Sequence, residues 1–138
     1  MALLLAVGAD ANAHKSGTTA LHMAVLHANR GAVALLIGAG ADVNSRVHLR
    51  DATTPCYLAT MMGDVEHTLA LLLAAGADVN VSDARGTTPC HWAARGRRSS
   101  AALALLVTSD GANVDAVNGA GETPSHMAAS NENAAAPD

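Results

Sequence analysis

Four short apolar runs punctuate the chain, and each leads into a glycine. Leu3 to Val7, VALLI at 33–37, LALLL at 69–73 and LALLV at 103–107 are followed by VGADAN at 7–12, AGADVN at 39–44, AGADVN at 75–80 and the looser DGANVD at 110–115. Runs of this length made of Leu, Val and Ala predict short helices. Gly40 and Gly76 are placed to take the left-handed conformation that ends one.

A second phrase alternates with the first. GTTALHMA at 17–24, TTPCYLA at 53–59, GTTPCHWAA at 86–94 and GETPSHMAA at 121–129 each carry a threonine, Thr19, Thr54, Thr88 and Thr123, just before a small apolar stretch. In Thr54-Pro55, Thr88-Pro89 and Thr123-Pro124 the threonine suits an N-cap, and the proline a first helical position whose N–H would be unpaired anyway. A helix is therefore expected at each, short because Gly63 or Gly96 interrupts it. Gly8, Gly40, Gly76 and Gly111 are 32, 36 and 35 residues apart, while Thr19, Thr54, Thr88 and Thr123 are 35, 34 and 35 apart. Two unrelated phrases keeping one period mean that a physical unit is copied. The unit reads as helix, turn, helix and an extended return, and helices this short must stack to hide their Leu and Ala faces.

These residues resemble the ankyrin repeats. The family's Gly-x-Thr-Pro-Leu-His-x-Ala is matched with small changes at 17–24, 86–93 and 121–128 and more loosely at 52–59, and the leucine run with its Gly-Ala-Asp-x-Asn ending matches as well. The resemblance covers nearly the whole chain. It implies an all-α fold: an ankyrin-repeat solenoid of stacked helix-turn-helix units with projecting loops or β-hairpins. Residues 1–13 would be a partial repeat holding only a second helix; 14–46, 47–81 and 82–116 would be repeats; 117–138 would be a first helix and a disordered tail. A piece of a longer array is expected. Ala20, Ala52, Tyr57 and Ser125 depart from the pattern, standing for its proline, glycine, histidine and leucine. Gly40 to Thr54 is two residues longer than Gly76 to Thr88, which predicts an irregular loop tip over 45–53. Extra chain is expected in the turn at 95–100, and Arg30 falls where an apolar residue usually seals the second helix.

Composition narrows the function. Half of the 138 residues are apolar, with one Trp, one Tyr and no Phe, so the core must be Leu, Val and Ala. A net charge of -4 with 8 basic residues argues against a nucleic-acid duplex. Two cysteines make no disulfide framework and fit a reducing, intracellular compartment, cytoplasmic or nuclear. The opening MALLLAVGADANA lacks the basic start and the length of a secretory core, and no apolar run reaches the roughly 20 residues of a membrane span.

Candidate chemistry centres on Cys90-His91-Trp92. A cysteine beside a histidine can be a thiolate with its base or two zinc ligands. Repetition argues otherwise, because Cys90 is equivalent to Cys56, Leu21 and Ser125, all at the apolar position after the helix start. Like positions in stacked helices lie roughly 8–10 Å apart, beyond the about 7 Å that a disulfide spans. His22, His91 and His126 likewise form a row that does not converge on a metal. The resemblance implies that these three bond backbone and the Thr hydroxyl. Trp92 matches Met23, Leu58 and Met127 and reads as packing between repeats; Arg95, Arg97 and Arg98 read as a solvated turn. GAGADVN lacks the following helix of a phosphate loop, and no GxSxG, HExxH or Walker phrase occurs.

No catalyst, cofactor, metal site or small-molecule substrate is therefore expected. The resemblance implies a monomeric, non-catalytic scaffold that binds a partner protein on its concave face and loop tips. On this sequence those positions are Lys15, Ser16 and Thr18; Arg50, Asp51 and Thr53; Ala84, Arg85 and Thr87; Glu122; and Leu26, His27, Met61, Met62 and Arg95 on the helix side. The alternative is a targeting module of a larger enzyme such as a kinase or ubiquitin ligase. Asn44 and Asn80 also fit the Leu-x5-Asp-x-Asn pattern on which some family members are hydroxylated.

Overall fold

The computed structural model describes residues 2–47, 53–62, 65–96 and 100–135. The elements run α1 (Ala2–Ala6), β1 (His14–Lys15), β2 (Thr18–Thr19), α2 (Ala20–Leu26), α3 (Arg30–Gly38), α4 (Pro55–Met61), α5 (Val65–Ala74), α6 (Pro89–Arg95), α7 (Ser100–Val107) and α8 (Pro124–Ala135). The fold is all-α, a solenoid of paired helices. Within a pair, α2 packs on α3, α4 on α5 and α6 on α7; between pairs, α2, α4, α6 and α8 form one layer and α3, α5 and α7 the other.

The helices start where the threonines place them. Thr19 and Thr54 are extended N-caps whose hydroxyls accept the N–H of His22 and Tyr57, and Pro55 and Pro89 open their helices. The exits repeat as faithfully. Gly40 and Gly76 have φ of 88° and 89°, which a side chain would strain. Small residues let the layers close up: Ala24, Ala59, Ala93, Ala32 and Ala102 are buried among Leu21, Val25, Val33, Leu36, Leu69, Leu72 and Leu106.

Arg30 is not in that core. It is exposed at the first position of α3, after the N-cap Asn29, and Ala32, Val33 and Leu36 make the buried face of that helix. The family pattern puts an apolar residue there, but position 30 is the first residue of its helix and faces solvent. Residues 131–135, expected in a disordered tail, are helical instead, and 136–138 lie outside the described residues. α8 continues through Asn131–Ala135 as helix, consistent with the high helix propensity of Ala and Glu and the absence of Gly or Pro before Pro137.

The loops solve one problem in different ways. His14 pairs with Thr19 and Lys15 with Thr18 in a two-residue hairpin whose turn, Ser16 and Gly17, has φ of 53° and 76°. Further along, a side chain closes the loop. Asp83 Oδ1 accepts the N–H groups of Arg85 and Thr87, and Asn118 Oδ1 those of Ala120 and Glu122. Val47 bridges Thr53 in the long loop, whose expected irregular tip at 48–52 lies outside the described residues.

A ladder of asparagines ties the exits together. Asn12 donates to Gly40 O and accepts from Asp42 N–H; Asn44 does the same with Gly76 and Asp78, and Asn80 with Gly111 and Asn113. Each amide thus satisfies the carbonyl of the next unit's exit glycine and a loop N–H two residues further on. Asn44→Ala should cost about 1–2 kcal/mol, seen as a lower urea midpoint at unchanged slope. An unchanged midpoint would mean that water serves those groups equally well.

Candidate functional site

The Thr-x-x-His phrase builds a polar link between units. His22 Nε2 lies 3.2 Å from Thr53 O, and a carbonyl only accepts, so Nε2 carries the proton. Nδ1 is then bare and accepts the Thr19 hydroxyl at 2.7 Å. In His91, Nδ1 accepts from Thr88 N–H at 3.1 Å while Nε2 donates to Glu122 O at 3.0 Å. Both rings are fully buried. Each imidazole satisfies the carbonyl just before the next unit's N-cap threonine. Burial lowers the pKa of His22, the carbonyl of Thr53 partly opposing it.

Tyr57 occupies the same position between them and reaches further. Its hydroxyl donates to Asp83 Oδ2 at 2.5 Å, and it accepts from Trp92 Nε1 at 2.6 Å. The Tyr57 and Trp92 rings meet edge to face, with centroids 6.3 Å apart. Arg95 places its guanidinium 5.6 Å from the Trp92 ring centre. Sequence reasoning assigned Trp92 to packing and passed over Asp83. The signal was Tyr57 itself, a longer donor where a histidine is expected.

Cys56 and Cys90 are both buried free thiols. Burial pushes Cys56 up to about 12, helped by Cys90 and Asp78, and raises Cys90 as well. Neither is poised as a thiolate. Among the described residues no three His, Cys, Asp or Glu side chains gather as a metal site would require.

The expected contact positions fall into three groups. Lys15, Ser16, Ala84, Arg85 and Glu122 are exposed on the loops, and His27, Met61, Met62 and Arg95 are exposed at the ends of first helices. Leu26 and Thr87 are half-buried, whereas Thr18 and Thr53 are buried, since each lies in the paired base of its loop. Arg50, Asp51, Arg97 and Arg98 lie outside the described residues. Gly119 N–H donates to Arg85 O at 2.7 Å, so successive loop tips touch. Arg95, Glu122, Met127, Ser130 and Asn131 line one open groove of about 300 Å³. Met127 and Ser130 were not among the expected positions, having no polar or loop signal to mark them. Asn44 and Asn80 have both ends of their amides engaged in the ladder.

Comparison with known proteins agrees with this geometry. A model of three consecutive ankyrin repeats matches residues 56–136, and a single-repeat model matches residues 16–47. The chain belongs to the ankyrin-repeat family. It is similar to human neurogenic locus notch homolog protein 1, 41% identical over 105 residues, which is 75% of this chain and 4% of that protein. Human neurogenic locus notch homolog protein 2 is 40% identical over 105 residues, again 75% of this chain and 4% of that protein. Mouse Rabankyrin-5 is 38% identical over 100 residues, 65% of this chain and 8% of that protein. The chain therefore spans less than a tenth of the length of these relatives. Ankyrin repeats are in general protein–protein interaction modules, and the family is typically non-catalytic. Among the described residues no helix is long and apolar enough to cross a membrane.

The buried groups of this ankyrin array give two tests. The folded pKa of His22 is below its unfolded value near 6.5, so the unfolded chain takes up the proton first. This contribution to stability is complete above about pH 6.5 and is lost as pH falls through that value toward the folded pKa. His22→Gln should lower stability at pH 7.5 and flatten the decline between pH 7 and 5 in urea titrations. Ellman's reagent at pH 7.5 should leave Cys56 and Cys90 unlabelled in the native protein and label both in urea. Rapid native labelling would show that the thiols are accessible.

Proposed function

We propose that the chain is a non-catalytic scaffold that binds a partner protein through its loop tips and the adjoining face of its first helices. The observation that carries this reading is the groove lined together by Arg95, at the end of one first helix, Glu122, from the next loop, and Met127, on the next first helix. Loop and helix positions from successive repeats thus form one surface. It carries both signs of charge and an adaptable apolar side chain. Met61 and Met62 add exposed apolar area one repeat earlier.

Rigidity supports the same reading. The side chains that hold the loops, Asp83, Asn118, His22 and His91, are spent on internal hydrogen bonds. A surface held this way loses little entropy when a partner docks. In this reading residues 14–46, 47–81 and 82–116 act as repeats of one binding domain, with 1–13 and 117–138 as partial repeats. The buried thiols Cys56 and Cys90 suit a reducing, intracellular compartment.

Arg95→Ala and Glu122→Lys should each weaken capture of the partner in a pull-down about tenfold or more, as expected for residues at the centre of an interface, with the circular dichroism spectrum unchanged. Ala70→Lys and Ala104→Lys, exposed on second helices, should leave capture intact. The reverse pattern would place the partner on the opposite face and overturn the assignment.

A further inference from the structure

Three residues that break the repeat meet at one point. Tyr57 stands where His22, His91 and His126 stand in their phrases, Trp92 where Met23, Leu58 and Met127 stand, and Arg95 where Leu26, Met61 and Ser130 stand. Tyr57 is about one repeat away from the other two in sequence, yet its hydroxyl accepts the Trp92 ring N–H at 2.6 Å and donates to Asp83 at 2.5 Å. Arg95 follows Trp92 by one helical turn and sets its guanidinium 5.6 Å from the ring centre. The other repeats stack without a Trp or an Arg at these positions, so the framework does not require them.

What this arrangement leaves open is a charge. An aromatic ring attracts a cation without neutralising it, so Arg95 keeps its positive charge and its N–H donors. Arg95 is exposed and makes no ion pair among the described residues. Glu122 lines the same groove but is engaged elsewhere, its Oε2 accepting the Asn118 amide at 3.3 Å. The exposed acids Asp10, Asp42, Asp78, Asp110 and Asp115 lie on the exit loops, whereas the loop tips and first helices present Lys15, Arg85 and Arg95. One step back along the row that holds Arg95 is Met61, 40% exposed.

We propose, resting on the scaffold reading above, that the partner docks an extended acidic segment here, with its carboxylate on Arg95 and an apolar side chain on Met61. A guanidinium fork matches a carboxylate with two parallel N–H···O bonds. Tyr57 is the positioning residue: its hydroxyl fixes the Trp92 ring, and the ring fixes the guanidinium. Stacked first helices lie roughly 8–10 Å apart and an extended chain advances about 3.3 Å per residue, so the acid and the apolar residue stand about three positions apart in the segment. Glu122, whose Oε1 has no partner among the described residues, accepts an N–H of the same segment. A nucleic-acid backbone fits less well, because Glu122 and the net charge of -4 repel phosphates.

The probe is a random dodecapeptide library displayed on phage and selected on the full chain. Wild type should enrich peptides with Asp or Glu about three positions from Leu, Ile, Met or Phe, and Arg95→Glu should shift that enrichment from acids to Lys or Arg. A selected peptide is then compared with the same peptide carrying Gln for its Glu, using the fluorescence of Trp92, the one Trp in the chain. Wild type should prefer the acid about tenfold, and Arg95→Ala should abolish the preference. Arg95→Lys should keep part of it, because an ammonium lacks the fork. Tyr57→Phe, which retains the buried ring, should reduce the preference about threefold and leave the Gln peptide's affinity unchanged. Enriched peptides without an acid, a preference that survives Arg95→Ala, or a Tyr57→Phe variant that weakens both peptides alike or neither would each overturn the inference and leave the scaffold reading standing. Enrichment of no peptide, or binding of a single-stranded oligothymidylate through Arg95 in place of the peptide, would overturn both.

Discussion

The hydrogen bond from a buried imidazole to the carbonyl of the next repeat is the contact on which the array turns. Each helix here is too short to be stable alone, and each first helix begins at a threonine whose preceding carbonyl must find a donor. His22 and His91 supply that donor from the repeat before, using a ring whose other nitrogen is already fixed by its own N-cap threonine. One side chain thereby sets the start of its own helix and the position of its neighbour. The asparagine ladder does the same at the other end of the unit, where Asn12, Asn44 and Asn80 join successive exit loops. Stability is consequently shared between neighbours, as expected of a one-dimensional stack.

Tyr57 shows how much variation that arrangement tolerates. A phenol cannot take the place of an imidazole at the same distance, and it overshoots to the side chain of Asp83. Asp83 also closes its own loop through Arg85 and Thr87, so the link between repeats passes through a carboxylate instead of a carbonyl. Trp92 is drawn into the same contact by its ring N–H, and Arg95 follows the ring. A substitution that looks like a lapse in the repeat has thus placed an aromatic and a cation beside the groove that Glu122 and Met127 line.

Translation also shapes what the surface can do. Equivalent residues form rows, and the polar groups that would be reactive in a convergent pocket are consumed in holding the stack. Cys90 and His91, adjacent in sequence, point to different tasks: the thiol packs in a core cluster with Cys56, Leu69 and Leu106, and the ring joins two repeats. What remains available is the set of positions that the framework leaves unspecified, on loop tips and helix ends.

By itself the sequence determined the period, the helix starts and the helix exits, because these depend on local chemistry: an N-cap threonine, a proline at N1 and a glycine in the left-handed region act within a few residues. It also determined that Cys56 and Cys90 are core positions, since apolar equivalents stand at the same place in the phrase. Only the tertiary structure decided which polar residues are spent and which are free. Thr18 and Thr53 look like loop residues yet are buried in the paired bases of their loops, and Asp83 looks like an ordinary turn residue yet anchors Tyr57, about one repeat away in sequence. Hydrogen bonds across that separation leave no local pattern, so the free surface emerges only when the repeats are laid side by side.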